Sequence, residues 1–202
     1  MAADAARDAA IVHDVERWLV RAVIGLNLCP FARSVHVKRQ IAYRVSHATE
    51  PEAVLADLSL AFDTLEAADP AAIDTLLLIV PEGFDDFLAF NDMAALAERL
   101  LKRLRLRGVF QIATFHPDYQ FAGAGPDDIE NYTNRAPYPI LHLLREESVT
   151  RAVDGFPDPD SIYERNQARL RALGHRGWRD LMDAPDDGED GAGRGGPLKP
   201  AS

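Results

Sequence analysis

The residues best suited to chemistry lie together between His116 and Pro139, in a stretch of more than twenty residues with little helical or strand periodicity. Loops of this length inside a compact domain usually have a function or are disordered. The stretch is rich in aromatic residues and also contains His, Asp, Asn and Arg, a composition unlike that of disordered segments. We therefore predict that the functional site lies in this loop.

The catalytic candidates are His116, Asp118 and Cys29. Pro117 keeps His116 extended, so the imidazole could act as a general acid or base while the Asp118 carboxylate steadies its tautomer. Cys29 is the only cysteine and would add a nucleophile if His116 lowered the pKa of its thiol. Structural alternatives remain open. His116 could satisfy backbone groups, Asp118 could form an Asx turn, and Cys29 could be a small buried hydrophobe.

The binding candidate is Arg135, whose planar guanidinium matches a carboxylate or a phosphate. Its alternative role is to brace the loop by pairing with Asp118, Asp127 or Glu130. The acidic run 127–130 itself is typical of a helix start, since acids suit the helix dipole there. The remaining side chains expected to shape a pocket for an anionic small molecule are Tyr119, Gln120, Asn131 and Tyr132.

No metal ligands or cofactor are assigned from the sequence. Cys29, His116 and His142 could supply three zinc-type ligands, yet no local spacing resembles a zinc motif. His142 alternates with Leu141 and Leu143, and we expect it to pack. The sequence has no phosphate-binding P-loop, no dinucleotide glycine fingerprint and no serine elbow.

The elements that must position these residues alternate between helices and strands. Strands are predicted over 35–45, 75–80, 109–115 and 140–144, with amphipathic helices before and between the first three. This order favours an α/β fold, a single layered domain with a mixed, roughly four-stranded sheet. A ferredoxin-like α+β sandwich is the alternative. In either fold His116 follows the carboxyl end of a strand, where open α/β sheets usually bind ligands.

Composition limits the organisation and the partners. We expect a frayed N-terminus over 1–10, one α/β domain over 11–182 and a disordered Gly/Pro/Asp-rich tail over 183–202. The net charge of −10 argues against nucleic-acid and anionic-membrane binding. A single cysteine forms no internal disulfide, and no signal peptide or membrane span is evident. We therefore expect a cytoplasmic protein and leave its oligomeric state open.

Four blocks carry a resemblance to a known family: Gly25–Ala32, Phe115–Gly123, Pro126–Arg135 and Pro137–Glu146. Over roughly residues 12–182 the chain resembles an uncharacterised bacterial family, domain of unknown function family 1415. The resemblance implies a stand-alone soluble domain and no established activity. Three hypotheses follow from the residues: a small enzyme acting on an anionic small molecule, a non-catalytic anion- or metal-binding protein, and an interaction domain whose loop is only braced.

Overall fold

The computed structural model describes residues 2–154 and 161–185 and is built on a mixed four-stranded sheet. The spatial order is β1-β2-β4-β3. Strands β1 and β2 are parallel, and β4 is antiparallel to both of its neighbours, β2 and β3. The α/β prediction with four strands is confirmed. The strands are β1 (Ile41–Val45), β2 (Thr75–Ile79), β3 (Phe110–Phe115) and β4 (Ile140–Arg145).

One face of the sheet is fully covered by α3 (Pro51–Ala67) and α4 (Phe87–Arg103). These helices connect β1 to β2 and β2 to β3, as expected for crossovers between parallel strands. The helix α4 is continuous, and the Asp86 carboxylate caps it by accepting from the Ala89 N–H at 2.8 Å. The core on this face includes Phe62, Phe90, Leu76, Leu78, Leu141 and Leu143.

The other face of the sheet is covered over one half by the N-terminal helices and by α6 (Ser161–Asp183). These helices pack on the row nearest the carboxyl ends of the parallel strands, which contains Ile79, Ile140 and Phe115. Helices on both faces distinguish the fold from a ferredoxin-like sandwich, which has helices on one face only. The half of this face nearest the amino ends of the parallel strands lines a cavity instead.

The N-terminal helix changes its hydrogen-bonding pattern along its length. The α-helix α1 (Ala2–Trp18) includes the residues expected to be frayed, consistent with their alanine content. The chain then continues as a π-helix (Leu19–Ile24). Gly25 closes the π-helix. A Cβ at this position would lie 2.1 Å from the Arg21 carbonyl oxygen, so only glycine fits the widened turn.

The first predicted strand, 35–45, is wrong over its first half. Residues Ala32–Val37 form the short helix α2, and β1 begins only at Ile41. Arg39 has a left-handed conformation with φ of 56°, which turns the chain between the two elements. Alternating β-branched residues suit a helix as well as a strand when tertiary contacts favour it, because strand propensity depends strongly on context.

The C-terminal part contains α5 (Glu146–Asp154) and α6. The helix α6 continues past Gly174, with a kink where Gly174 has φ of 64°. Trp178 beyond the kink is buried and anchors the helix. Most of the predicted disordered tail, from residue 186 onward, lies outside the described residues.

Candidate functional site

His116, the predicted acid or base, is fully buried directly after β3. Its ring packs against Phe87 and Phe90, with centroid distances of 5.4 and 5.3 Å. The ring Nε2 lies 2.9 Å from the Phe84 carbonyl oxygen, and Nδ1 lies 2.9 Å from the Asp118 amide nitrogen. Because the carbonyl only accepts and the amide only donates, His116 is a neutral Nε2–H tautomer. Neither ring nitrogen is left to contact a substrate.

The prediction was that the Asp118 carboxylate orients the His116 ring, and the structure does not show this contact. The backbone N–H of Asp118 orients the ring instead, while the residue itself is exposed. This arrangement matches the structural alternative for His116, that of a loop histidine which satisfies backbone groups. The physical reason is that the Phe84 carbonyl and the Asp118 amide lie where water cannot satisfy them, so His116 supplies their hydrogen bonds.

Asn131, a predicted binding residue, is also fully buried, and its side chain connects two parts of the loop by hydrogen bonds. Its Oδ1 accepts from the Phe121 N–H at 3.0 Å, and its Nδ2 donates to the Gly125 carbonyl at 2.7 Å. It belongs to a short 3₁₀-helix, Ile129–Thr133, that begins within the acidic run 127–130. Gln120 is exposed and donates to the Ala124 carbonyl at 2.5 Å. Both amides are therefore committed to the backbone of the loop itself.

Arg135 braces the same loop. Its Nε donates to the Tyr119 carbonyl at 3.2 Å, its Nη2 donates to the Pro126 carbonyl at 2.6 Å, and its guanidinium lies 4.6 Å from the centroid of the Tyr132 ring. Its partners are backbone carbonyls rather than the carboxylates of the loop. Tyr119 packs on Phe87, and burial raises the pKa of its hydroxyl. Arg135 and Tyr132 line a small cavity of about 230 Å³.

Cys29 lies away from His116, so the predicted catalytic set is not brought together. It is partly buried in the turn after the π-helix, and it lines a different cavity. Burial raises the pKa of its thiol, and hydrogen bonds from the backbone of Phe31 and Ala32 oppose this effect more weakly. The thiol is thus protonated at neutral pH and has no activating partner in the loop.

The cavity that Cys29 lines has a volume of about 920 Å³ and lies over the open half of the second sheet face. Its floor comes from side chains of all four strands, because residues of one face alternate along each strand. The π-helix and α2 form one wall, and α5 forms another. The side chains that carry the following argument are Trp18, Val23, Gln111, Ala113, Phe115 and His142.

His142 is the most strictly oriented polar side chain of this floor. Its Nε2 lies 2.6 Å from the Thr75 Oγ1, which in turn lies 2.6 Å from the Leu143 carbonyl oxygen. The carbonyl only accepts, so the Thr75 hydroxyl donates to it and must accept from the His142 Nε2–H. The ring is therefore an Nε2–H tautomer whose Nδ1 carries a lone pair. No described residue donates to that Nδ1.

Burial lowers the pKa of His142 to about 4, because the charged form of the ring loses its hydration. The side chain is neutral at physiological pH. A base this weak is poorly matched to proton transfer near pH 7, whereas its Nδ1 remains a good hydrogen-bond acceptor. The site consequently favours recognition over acid–base chemistry.

The rim of the cavity is polar. Asp74 accepts from the Ser148 hydroxyl at 2.5 Å, and Arg151 donates to the same hydroxyl at 2.9 Å. Lys38 is exposed at the opposite wall. Arg145 also borders the cavity, but its guanidinium is held on the other side of the sheet by the carbonyls of Leu65, Ala68 and Ile73. Charged groups therefore surround the mouth and not the floor.

Sequence reasoning missed Thr75 and Gln111 and assigned His142 to packing. One signal was present: a histidine alternating with leucines on a strand whose other face is buried must point to the opposite face. Only the three-dimensional arrangement tells whether that face is covered. The expected location was also at the other end of the sheet, because the cavity lies at the amino ends of the parallel strands.

Two negative findings refer to the part of the chain that the structure describes. It contains no group of three or more His, Cys, Asp and Glu residues placed to hold a metal ion. The trio Cys29, His116 and His142 is therefore not assembled. Within the same residues, no helix is both long enough and apolar enough to cross a membrane.

Comparison with known families gives a match over residues 10–180 to the family described as "Protein of unknown function (DUF1415)". This range includes the whole sheet, the loop and the cavity. The chain belongs to this family. Comparisons with curated proteins and with solved structures give no match. Family membership confirms the resemblance seen in the four sequence blocks and assigns no activity, so the functional argument rests on the site.

Proposed function

We propose that this chain binds a small, largely apolar organic molecule in the cavity over the open half of the sheet. The observation that carries the proposal is the cavity of about 920 Å³ with the hydrogen-bonded pair of His142 and Thr75 on its floor. Ligand sites usually have volumes of about 300–1,000 Å³, mostly apolar walls and a few oriented polar groups. The smaller cavity beside Arg135, about 230 Å³, falls below that range.

Action on an anionic molecule at the 116–139 loop is less well supported. An anion there would compete with the carbonyls of Tyr119 and Pro126 for the donors of Arg135. It would also meet no proton donor or acceptor at His116, whose two ring nitrogens are both paired with backbone groups. The contacts of the loop support bracing instead.

A second candidate function is catalysis in the same cavity, because Cys29 and His142 both line it. A neutral imidazole can in principle take the proton of a thiol and create a nucleophile. The two pKa shifts oppose this chemistry, however, since burial raises the pKa of the thiol and lowers that of the imidazole. Binding without covalent chemistry is therefore the better-supported function.

A thermal-shift experiment tests the proposal with 1-naphthol and indole as apolar probes and with citrate and inorganic phosphate as anions. Ala113→Phe fills the cavity floor and Ala152→Phe fills its α5 wall, while Arg135→Gln alters only the loop. We expect at least one apolar probe to raise the Tm of wild type and of Arg135→Gln, with little shift in either filled variant. No shift with any apolar probe, or stabilisation by an anion that Arg135→Gln removes, would contradict the proposal.

A further inference from the structure

We propose that His142 selects the ligand, and that this ligand is a neutral aromatic molecule bearing an O–H or N–H donor, of the phenol or indole class. The inference rests on the proposed binding function and goes beyond it by naming the chemistry of the molecule. Three observations carry it: the direction of the hydrogen bonds behind His142, the electrostatic consequence of the lone pair that they leave on its ring, and the aromatic rings beside it.

The first observation is the fixed direction of the Leu143–Thr75–His142 chain. The Leu143 carbonyl is an obligatory acceptor, so the single proton of the Thr75 hydroxyl is used there, at 2.6 Å. The hydroxyl oxygen then receives the Nε2–H of His142, also at 2.6 Å. Flipping the ring, or moving its proton from Nε2 to Nδ1, would leave this hydroxyl without its donor. A ligand in the cavity therefore finds a lone pair at the Nδ1 of His142, which can accept a hydrogen bond from an O–H or N–H donor.

The second observation is the electrostatic consequence of that lone pair. A carboxylate or ether oxygen placed against Nδ1 would bring two lone pairs together. Protonation of the ring would relieve the conflict, but the pKa of His142 is about 4, so this protonation is unfavourable at neutral pH. A neutral O–H or N–H group meets no such penalty. The floor of the cavity therefore discriminates against acceptor-only groups and against anions.

The third observation is a row of aromatic rings beside the cavity, formed by Trp18 at the end of α1 and by Phe115 and His142 on the sheet. The rings of Trp18 and Phe115 meet edge to face with centroids 5.2 Å apart, and Phe115 lies 6.1 Å from the His142 ring. Aromatic pairs in offset or edge-to-face geometry contribute beyond their buried area. A planar ring placed over this row would gain such contacts while its donor reaches Nδ1. A flexible aliphatic chain would not.

Other polar groups of the cavity do not impose the same choice. Gln111, on the neighbouring strand, carries both a donor and an acceptor and accommodates either kind of group. Lys38 and Arg151 lie at the exposed rim, where water screens their charges. Of these four lining residues, His142 is thus the one that fixes the polarity of the ligand.

The test measures dissociation constants by calorimetry or NMR titration for two matched pairs of probes, indole with 1-methylindole and 1-naphthol with 1-methoxynaphthalene. 1-Naphthoate serves as the anionic analogue. For wild type we expect each donor to bind about five- to tenfold tighter than its methylated partner, the factor that one net hydrogen bond contributes. The naphthoate should bind more weakly than 1-naphthol.

His142→Phe keeps an aromatic ring and removes the acceptor, so the preference within each pair should vanish. His175→Phe makes the same change on the exposed part of α6 and should leave the preference intact. If His142→Phe does not fold, Thr75→Val provides a second variant. This substitution removes the hydroxyl that fixes the Nε2–H tautomer of His142. We expect the preference for the donor probes to change, together with the ¹⁵N shifts of the ring that mark the Nε2–H tautomer in wild type.

The outcomes separate the two claims. Equal binding of both members of each pair to wild type, or tighter binding of the naphthoate, overturns the inference while leaving the binding function intact. A preference that persists in His142→Phe also overturns it. Binding of none of the probes to wild type contradicts the proposed function itself, and the inference with it.

Discussion

The two ends of the sheet differ in how their polar side chains are used. At the carboxyl ends of the parallel strands, His116, Asn131 and Arg135 each make at least two hydrogen bonds to backbone atoms of the loop or its neighbours. At the amino ends, His142 is held through one nitrogen and leaves the other toward a cavity. In this protein, the polar residues concentrated in the long loop therefore serve as hydrogen-bond partners for backbone groups.

The reason lies in the loop's lack of regular structure. A segment of this length without helix or strand has many N–H and C=O groups with no ladder to satisfy them. Buried side chains such as His116 and Asn131 supply the missing partners, and a guanidinium supplies several donors at once. A strand satisfies its own backbone through its neighbours, so a polar side chain on it is free for another use.

The largest expected effect comes from removing a brace. His116→Ala leaves the Phe84 carbonyl and the Asp118 amide without their partner and opens a void between Phe87 and Phe90. We expect a loss of about 3 kcal/mol in the free energy of unfolding, measured by urea denaturation. At temperatures where the variant is folded, its affinity for a cavity probe such as indole should equal that of wild type.

Gln120→Ala is the matched control, since its side chain is exposed and bonds only within the loop. It should change stability far less than His116→Ala does. A His116→Ala protein that keeps its stability but loses ligand affinity would contradict this assignment. It would show that the loop, and not the cavity, is the functional site.

A smaller effect concerns the reactivity of Cys29. Because burial raises the pKa of its thiol, less thiolate is present at neutral pH than in a free cysteine. Alkylation by iodoacetamide at pH 7 should be several-fold slower than for free cysteine and should accelerate as pH rises. Indole at saturating concentration should slow it further, since Cys29 lines the cavity. Alkylation faster than that of free cysteine would favour the catalytic candidate instead.

The smallest effect concerns His47, which follows β1 and contacts Asp8 of α1 at 2.7 Å and Glu82 at 3.5 Å. These carboxylates, Asp8 first, raise the pKa of His47. The charged imidazole therefore adds stability that is fully present below its ordinary pKa of about 6.5 and is lost as pH rises through the folded-state pKa. Since the pair is solvent-exposed, the contribution should stay below about 1 kcal/mol.

His47→Gln should remove that pH-dependent part of the Tm and leave the rest of the profile unchanged. Identical pH profiles of wild type and variant would show that these ion pairs contribute nothing. A pH-dependent difference would make His47 a second histidine, after His116, that has a structural role at the carboxyl ends of the parallel strands. It would therefore strengthen the contrast with His142 at the amino ends.

Much of the fold follows from the sequence. The continuous apolar run Thr75–Ile79 predicts a central strand and is buried throughout, and the periodicity of Val54, Leu58 and Phe62 predicts α3. The segment 35–45 was harder, because only the turn at Arg39 separates its helix from its strand. The π-helix has no signal in periodicity that distinguishes it from an α-helix.

The candidate site was less predictable, for a physical reason. The sequence correctly indicates that His142 lies on the face opposite Leu141 and Leu143. Whether helices cover that face depends on how far α1 and α6 extend across the sheet, which is a property of packing. Likewise, the spacing of His116 and Asp118 suggests a catalytic pair, but the burial of His116 and its partner carbonyl of Phe84 depend on distant parts of the chain.

The central claim, that the cavity and not the loop is the binding site, is tested most directly by locating a bound probe. Intermolecular NOEs between indole and the methyl groups of the chain provide that location. We expect NOEs to the methyls of Ala113, Val23 and Leu144, which line the cavity. NOEs confined to methyls of the loop, such as those of Ala122, Ala124 and Ile129, would contradict the claim.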